Sequence, residues 1–314
     1  MNRAFIFPGQ GSQAIGMGKA LAEAFAAARE TFQEVDDALN QKLSRIMWDG
    51  PESDLILTEN AQPAIMAASL AIIRVLQKEG GLDFSKHARL VAGHSLGEYS
   101  ALCAAGAFSL ADTARLLKIR GQAMQSAVPV GEGAMAALLG ADIDIAEAAV
   151  KEASAAGGIV VVANDNGPGQ VVISGEKAAV ERAGEIAKAK GAKRAIALAV
   201  SAPFHCPLMQ PAADKMREAL AAVTIRPLAA PVVANVTASA TSEPETIRRL
   251  LVEQVTGRVR WRESVANFRN LGVDTTVEAG GNKVLTGMVK RIDKDLATIA
   301  LDLPADIEAF AKAL

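Results

Sequence analysis

Short apolar runs alternate along the chain with segments whose apolar residues recur at helical spacing. The runs at residues 4–7 and 90–92 predict two buried strands, and the pattern over residues 62–78 predicts a helix with one apolar face. Residues 40–60 show no such period, so we expect irregular structure there. Strands and helices that alternate in this way are typical of an α/β fold built on a parallel sheet.

The same two patterns, short apolar runs and helical spacing, predict further strands and helices before and after residues 128–198. Glycine or proline residues mark several of their ends, as turn residues do. We expect helices at residues 18–38, 110–127, 260–271 and 283–292 and near the C-terminus, and strands at residues 231–236, 275–278 and 298–301.

The central segment, residues 128–198, has an order of elements of its own. Its pattern predicts strand, helix, strand, strand, helix, strand, the β-α-β-β-α-β order of a ferredoxin-like unit. The pattern of the larger unit resumes after it. We therefore predict an α/β-hydrolase-like large domain from residues 1–127 and 199–314, with a small ferredoxin-like domain inserted at residues 128–198.

The composition narrows the class of protein. Half of the 314 residues are hydrophobic and 22% are charged, which indicates a globular protein with a large core. The net charge of −2 gives no reason to expect nucleic-acid binding. Two cysteines make no disulfide framework, and no apolar run reaches the length of a membrane span. We expect a cytoplasmic protein without a signal peptide.

The stretch Gly93-His94-Ser95-Leu96-Gly97 carries the strongest chemical signal. A nucleophilic serine at the tip of a strand-to-helix turn needs small neighbours, and the helix after it directs N–H groups at a developing oxyanion. The alternative is a glycine-flanked serine in an ordinary loop. The predicted strand before the motif and the predicted helix after it favour a nucleophile elbow.

A serine nucleophile needs a base, and the chain contains three histidines. His205 lies in a short loop bounded by prolines, which would constrain its side chain. We therefore predict a Ser95–His205 dyad. The alternative is a histidine that packs in the core or caps a helix.

Arg120 falls on the apolar side of the predicted helix 110–127, between Leu116 and Met124. An unpaired buried charge costs much free energy, so this position predicts an anionic partner. Alternatively, the aliphatic stem packs on the helix face and the guanidinium reaches water. Position alone does not separate the two.

The turn Gly9-Gln10-Gly11 follows the first predicted strand. It lacks the third glycine and the later acidic residue of a dinucleotide fingerprint. We expect instead a turn that brings backbone N–H groups close to a ligand.

Together these motifs resemble the malonyl-CoA:acyl carrier protein transacylases. The resemblance extends over essentially the whole chain. Its matching segments are residues 7–13, 93–102, 120–121, 167–175, 204–205, 259–261 and 283–287.

The resemblance assigns roles to the residues already singled out. It implies that Ser95 accepts the acyl group, that His205 is its base and that Arg120 pairs with the malonyl carboxylate. It also implies an oxyanion hole from the backbone amides of Gln10 and Leu96.

Three further positions are assigned by the resemblance alone. Gln254 corresponds to the residue whose main-chain carbonyl orients the histidine. Asn164 and Asn166 correspond to a segment near the entrance for pantetheine, the arm that carries the thiol.

The implied reaction moves malonyl from malonyl-CoA to acyl carrier protein by a ping-pong mechanism, in fatty acid biosynthesis. It implies a monomer that needs neither a metal nor a further cofactor. A malonyl loader for polyketide synthesis, a serine thioesterase or esterase, and a non-catalytic scaffold remain alternatives. Because the implied partner is acidic, two basic groups are candidate docking residues. They are Lys188, Lys190, Lys193 and Arg194, and Arg258, Arg260 and Arg262.

Overall fold

The computed structural model describes residues 2–200 and 202–314, which form two sheets and the helices that pack on them. The strands are β1 (Arg3–Phe7), β2 (Ala88–Gly93), β3 (Gly133–Leu139), β4 (Val160–Gly167), β5 (Gln170–Glu176), β6 (Arg194–Ala197), β7 (Val232–Val233), β8 (Ala240–Thr241), β9 (Thr275–Ala279) and β10 (Ala297–Leu301). The helices are α1 (Lys19–Ala24), α2 (Ala26–Leu39), α3 (Leu43–Asp49), α4 (Glu52–Leu55), α5 (Thr58–Glu79), α6 (Phe84–His87), α7 (Gly97–Ala104), α8 (Leu110–Ser126), α9 (Ile143–Ala155), α10 (Lys177–Ala189), α11 (Gln210–Ala221), α12 (Pro244–Thr256), α13 (Trp261–Phe268), α14 (Val284–Ile292) and α15 (Pro304–Ala311).

The larger sheet has the strand order β10-β9-β1-β2-β7-β8 and is parallel except for the β7–β8 pair. Its strands are apolar on both sides because helices cover both faces. Phe5 and Phe7 face the main core, which includes residues of α2, α5, α7 and α8. Ala4 and Ile6 face a second core with α13 and α14. The carboxyl ends of the parallel strands meet at one edge, where α/β proteins place their sites.

The smaller sheet has the order β4-β5-β3-β6 and is antiparallel. Helices α9 and α10 close a separate core against it. The predicted α/β class, with a parallel central sheet and a β-α-β-β-α-β unit, is therefore confirmed. The division of the chain into two domains stays a prediction.

Backbone hydrogen bonds join the smaller sheet to the rest of the protein at β4. Val259 donates its N–H to the carbonyl of Ala163 at 2.8 Å, and the N–H of Asp165 donates to the carbonyl of Val259 at 3.0 Å. Arg262 then pairs with the buried carboxylate of Asp165 at 2.8 Å. These contacts fix β4 against the segment that leads into α13.

Two predictions for the N-terminal helices are wrong. The helix expected over residues 18–38 is two helices, because Phe25 adopts an extended conformation between α1 and α2 and packs against the main core. Residues 40–60, expected to be irregular, contain α3, α4 and the start of α5. α3 is too short to show a period, and Pro63 lies inside α5 rather than at its first turn.

The C-terminal half also differs from its prediction. The strand expected over residues 231–236 is only β7, because the chain turns away at Ala234 and sends the Asn235 side chain towards the serine turn. Helices α11 and α12 fall in segments for which the pattern gave no prediction. Within residues 2–200 and 202–314 no helix combines the length and the apolar character needed to cross a bilayer.

Candidate active site

Ser95 stands at the tip of the turn between β2 and α7, with a left-handed φ of 53°. Glycines make this turn possible by letting the backbone of neighbouring segments approach. A Cβ on Gly97 would lie 2.2 Å from the carbonyl oxygen of Phe7, and a Cβ on Gly9 would lie 2.8 Å from that of His94. The loop after β1, which carries Gln10, therefore packs directly on the serine turn.

Ser95 and His205 are in hydrogen-bond contact. The Ser95 Oγ lies 2.8 Å from Nε2 of His205, and Nδ1 of the same ring lies 2.8 Å from the main-chain carbonyl of Gln254. A carbonyl oxygen can only accept, so Nδ1 carries the proton and Nε2 presents its lone pair to the serine hydroxyl. This is the tautomer that a general base requires.

The surroundings of His205 keep its ring neutral. Burial, with the nearby Arg120 cation, lowers the pKa of His205 to about 3. The residue has a left-handed φ of 55°, a strained conformation for a residue with a Cβ. Such strain persists only where the surrounding structure enforces it. Here it places the ring between Ser95 and Gln254.

Arg120 is 1% exposed, so its guanidinium does not reach water. Nη1 donates to Oε1 of Gln62 at 2.8 Å, and Nη2 donates to Oε1 of Gln254 at 2.9 Å and to Oγ of Ser95 at 3.1 Å. Among the described residues no carboxylate forms an ion pair with it. The structure therefore places a buried cation, held by neutral amides, against the serine hydroxyl.

A buried polar network supports both Arg120 and the serine turn. Gln254 donates from Nε2 to the carbonyl of Ser95 at 3.0 Å and to Oε2 of Glu98 at 2.8 Å. Asn235 donates its N–H to the same carboxylate oxygen and its Nδ2 to the carbonyl of Gly93. Burial raises the pKa of Glu98 to about 7, against the lowering effect of these donors and of Arg120.

Some backbone N–H groups around the Ser95 turn donate a hydrogen bond within the protein, and others do not. The N–H of Ser95 donates to Oδ1 of Asn235 at 2.7 Å. In the described part of the chain, the N–H groups of Leu96 and Gln10 have no hydrogen-bond acceptor. These two donors are thus available to a ligand, at the end of a strand and beside the N-terminus of α7.

Asn164 and Asn166 lie on β4 and are almost completely buried. Oδ1 of Asn166 accepts from Nε2 of His94 at 2.7 Å, and Asn164 pairs with Val259 where β4 meets the rest of the protein. Asn166 is thus linked to the serine turn through its neighbour His94. No hydrogen bond joins either asparagine to Ser95, His205 or Arg120 within the described residues.

Three residues of the site were not singled out by the sequence: Gln62, Glu98 and Asn235. Glu98 directly follows the elbow motif, and its place in the first turn of α7 was the available signal. Gln62 opens the apolar segment of α5, where a polar residue that is 1% exposed is unusual. Asn235 lies in a segment predicted to be a strand, and that prediction gave no reason to expect its side chain at the serine turn.

No group of three or more His, Cys, Asp and Glu side chains within residues 2–200 and 202–314 is placed to hold a metal ion. The basic docking candidates are mostly engaged. Ion pairs join Lys188 to Glu185, Lys190 to Glu152, Arg258 to Glu147, Arg260 to Glu263 and Arg262 to Asp165. Their role in docking stays a prediction.

Comparison with known proteins defines the class to which this fold and site belong. The chain belongs to the acyl transferase domain family, whose sequence model matches residues 4–302. It is 48% identical to the malonyl CoA-acyl carrier protein transacylase of Bacillus subtilis (strain 168), over 97% of this chain and 95% of that protein.

Solved structures give the same result. The acyl-carrier-protein-S-malonyltransferase from Bartonella henselae superposes with a TM-score of 0.97 at 56% identity, over 100% of this chain and 99% of that one. A malonyl-transacylase in complex with its type II PKS acyl-carrier protein superposes with a TM-score of 0.96 at 45% identity, over 100% of both chains.

Proposed function

We propose that this protein transfers the malonyl group of malonyl-CoA to the phosphopantetheine thiol of acyl carrier protein, in fatty acid biosynthesis. The observation that carries the proposal is the buried Arg120 guanidinium, 3.1 Å from the Ser95 hydroxyl. A thioester with a free carboxylate is the substrate that such a site fits. The names of the B. subtilis and B. henselae proteins support the same activity.

In the first half-reaction Nε2 of His205 takes the proton of the Ser95 hydroxyl as Oγ attacks the thioester carbonyl. The N–H groups of Gln10 and Leu96 hold the tetrahedral oxyanion. The C–S bond then breaks, and CoA leaves with the proton from His205. The product is a malonyl ester on Ser95.

The second half-reaction reverses these steps with a different thiol. The thiol of the phosphopantetheine arm gives its proton to His205 and attacks the ester carbonyl. Oγ of Ser95 leaves and recovers the proton. The arm enters beside His94, Asn164 and Asn166. The cycle needs no metal and no cofactor other than the thioester itself, and we place it in the cytoplasm.

Arg120 selects for the carboxylate. Its terminal nitrogens carry four N–H bonds, and Gln62, Gln254 and the Ser95 hydroxyl accept three of them. As Oγ of Ser95 turns to attack the bound thioester, it gives up its contact with Nη2. One N–H on each terminal nitrogen is then free for the two carboxylate oxygens, a geometry that lysine cannot supply.

A second candidate function is malonyl loading in polyketide synthesis. The similarity to a malonyl-transacylase bound to a type II PKS acyl-carrier protein favours it specifically. The chemistry at Ser95 is the same in both. Rates of transfer to carrier proteins of the two pathways would distinguish them.

Transfer and hydrolysis can be distinguished by supplying malonyl-CoA with and without holo acyl carrier protein. We expect the protein to release free malonate much more slowly than it loads holo acyl carrier protein, with Ser95→Ala inactive in both assays. Rapid multiple-turnover release of malonate without carrier protein would identify a thioesterase and refute the proposal.

A further inference from the structure

The side-chain amide of Gln254 has one orientation that satisfies all of its neighbours. Its Nε2 faces the Ser95 carbonyl and the Glu98 carboxylate, two groups that accept, and, at 3.4 Å, Oδ1 of Asn235. Its Oε1 faces Nη2 of Arg120, which can only donate. A rotated amide would set donor against donor at Arg120 and acceptor against acceptor at Glu98.

We propose that Glu98 is a positioning residue for malonyl recognition: its carboxylate holds the Gln254 amide so that Oε1 faces Arg120 and fixes the guanidinium beside Ser95. This inference rests on the proposed function. Glu98 is 1% exposed, and within the described residues no hydrogen bond joins it to Ser95 Oγ or His205. It acts through Gln254, whose main-chain carbonyl also receives the Nδ1 proton of His205.

The charges around Glu98 fit this role. The positive charge of Arg120, on α8, acts on the Glu98 carboxylate. Tyr99 follows Glu98 on α7, and its ring centre lies 5.6 Å from the guanidinium carbon of Arg120. Because burial raises the pKa of Glu98 to about 7, its carboxylate form is assured only in mildly alkaline solution. The test is therefore made at pH 8.5.

The experiment compares two substitutions at Glu98 by the ratio of malonyl to acetyl acylation rates (kcat/KM) on Ser95. Glu98→Gln keeps an acceptor oxygen at the same reach, so we expect a ratio within about twofold of the wild type. Glu98→Met has a similar volume but offers no acceptor to Nε2 of Gln254. The amide can then rotate and turn its N–H groups towards Arg120, so we expect the ratio to fall about tenfold or more.

Glu278 offers a matched control. It is also fully buried and accepts two backbone N–H groups, from Leu285 at 3.0 Å and Thr286 at 2.7 Å. In the part of the chain that the structure describes, no hydrogen bond joins it to Gln254 or Arg120. Glu278→Met should lower the melting temperature without changing the ratio. If Glu98 had a purely structural role, Glu98→Met would likewise lower the melting temperature and leave the malonyl-to-acetyl ratio unchanged.

A folded Glu98→Met protein with the wild-type ratio overturns the inference, and so does a Glu98→Gln protein that loses selectivity as Glu98→Met does. If Glu98→Met does not fold, Glu98→Asp takes its place, since the shorter side chain withdraws the carboxylate from Gln254. A several-fold drop in the ratio is then expected, and an unchanged ratio refutes the idea. If the wild type itself shows no malonyl preference, the proposed function has failed rather than this inference.

Discussion

At the scale of single residues, the site combines a proposed base that stays neutral with a cation that stays buried. His205 is held in its reactive tautomer by a main-chain carbonyl, and Arg120 is held by the amides of Gln62 and Gln254. Neither group depends on an exposed charge. Both should therefore be insensitive to the salt concentration.

Arg120→Met tests the assignment of the carboxylate partner. The malonyl carboxylate would then be buried without a counter-charge, which costs roughly 3–5 kcal/mol and lowers malonyl acylation by about two to nearly four orders of magnitude. Acetyl acylation should change far less. Rapid-quench measurement of both rates on Ser95 gives the comparison.

Arg115→Met is the matched control, because Arg115 lies on the same helix with its side chain 56% exposed. It should leave both acylation rates unchanged. Equal losses for malonyl and acetyl in Arg120→Met would mean that Arg120 supports the fold of the site and does not read the carboxylate.

The lowered pKa of His205 affects both the stability of the fold and the pH dependence of acylation. In the unfolded chain His205 binds a proton below its ordinary pKa of 6.5, whereas in the folded protein it does so only near pH 3. The free energy of unfolding therefore falls as pH drops from 6.5 towards 3. The His205 ring itself stays neutral between pH 6.5 and pH 3.

The neutral ring also predicts a flat pH profile for acylation. In Glu98→Gln, where position 98 no longer titrates, we expect kcat/KM for malonyl-CoA to stay level from pH 8 to pH 5. An inflection near 6.5 would show that His205 titrates normally.

Part of this site could be predicted from the residue pattern. The glycine-bounded turn marks Ser95 as a candidate nucleophile. The apolar helix face draws attention to Arg120 but leaves open whether its guanidinium is buried or reaches water. Gln62 and Asn235 could not be identified in this way. Their contacts with Arg120 and Ser95 form only after α5 and the segment after β7 pack near the serine turn, and a local sequence pattern carries no information on that packing.

At the scale of elements, close backbone packing shapes the site. β2, the serine turn and α7 form one unit against the end of β1, as Gly97 illustrates. The elements that sequence did reveal, such as α8 and the β3–β6 unit, have long periodic patterns. The break at Phe25 and the short β7 are set by tertiary contacts, so they could not be predicted.

Gly97→Ala tests this packing. Its Cβ would lie 2.2 Å from the carbonyl oxygen of Phe7, and neither backbone can move without displacing β1 or Ser95. We expect a loss of several kcal/mol in the free energy of unfolding, at the upper end for single substitutions, and loss of acylation. Urea denaturation followed by circular dichroism measures the first.

Gly287 supplies the opposite control, since it lies inside α14 and an added Cβ would meet no atom within 4 Å. Gly287→Ala should stabilise the protein by about 0.5–1 kcal/mol through helix propensity. A Gly97→Ala protein as stable as the wild type would show that the turn has more room than the structure indicates.

At the scale of the whole molecule, the fold gathers residues that are far apart in sequence. The turn after β2 supplies Ser95, α8 supplies Arg120, the loop after β6 supplies His205, and α12 supplies Gln254. β4 of the smaller sheet reaches the same edge through Asn166. The parallel sheet brings strand ends together, so the proposed nucleophile, base and anion site share one buried position.

The most direct test of the central claim is intact mass spectrometry after brief mixing with malonyl-CoA and, separately, with acetyl-CoA. We predict a malonyl adduct that peptide mapping places on Ser95, that forms far faster than the acetyl adduct, and that holo acyl carrier protein removes. An absent adduct, or equal labelling by the two thioesters, would contradict the claim that Ser95 is the nucleophile and that Arg120 selects the malonyl carboxylate.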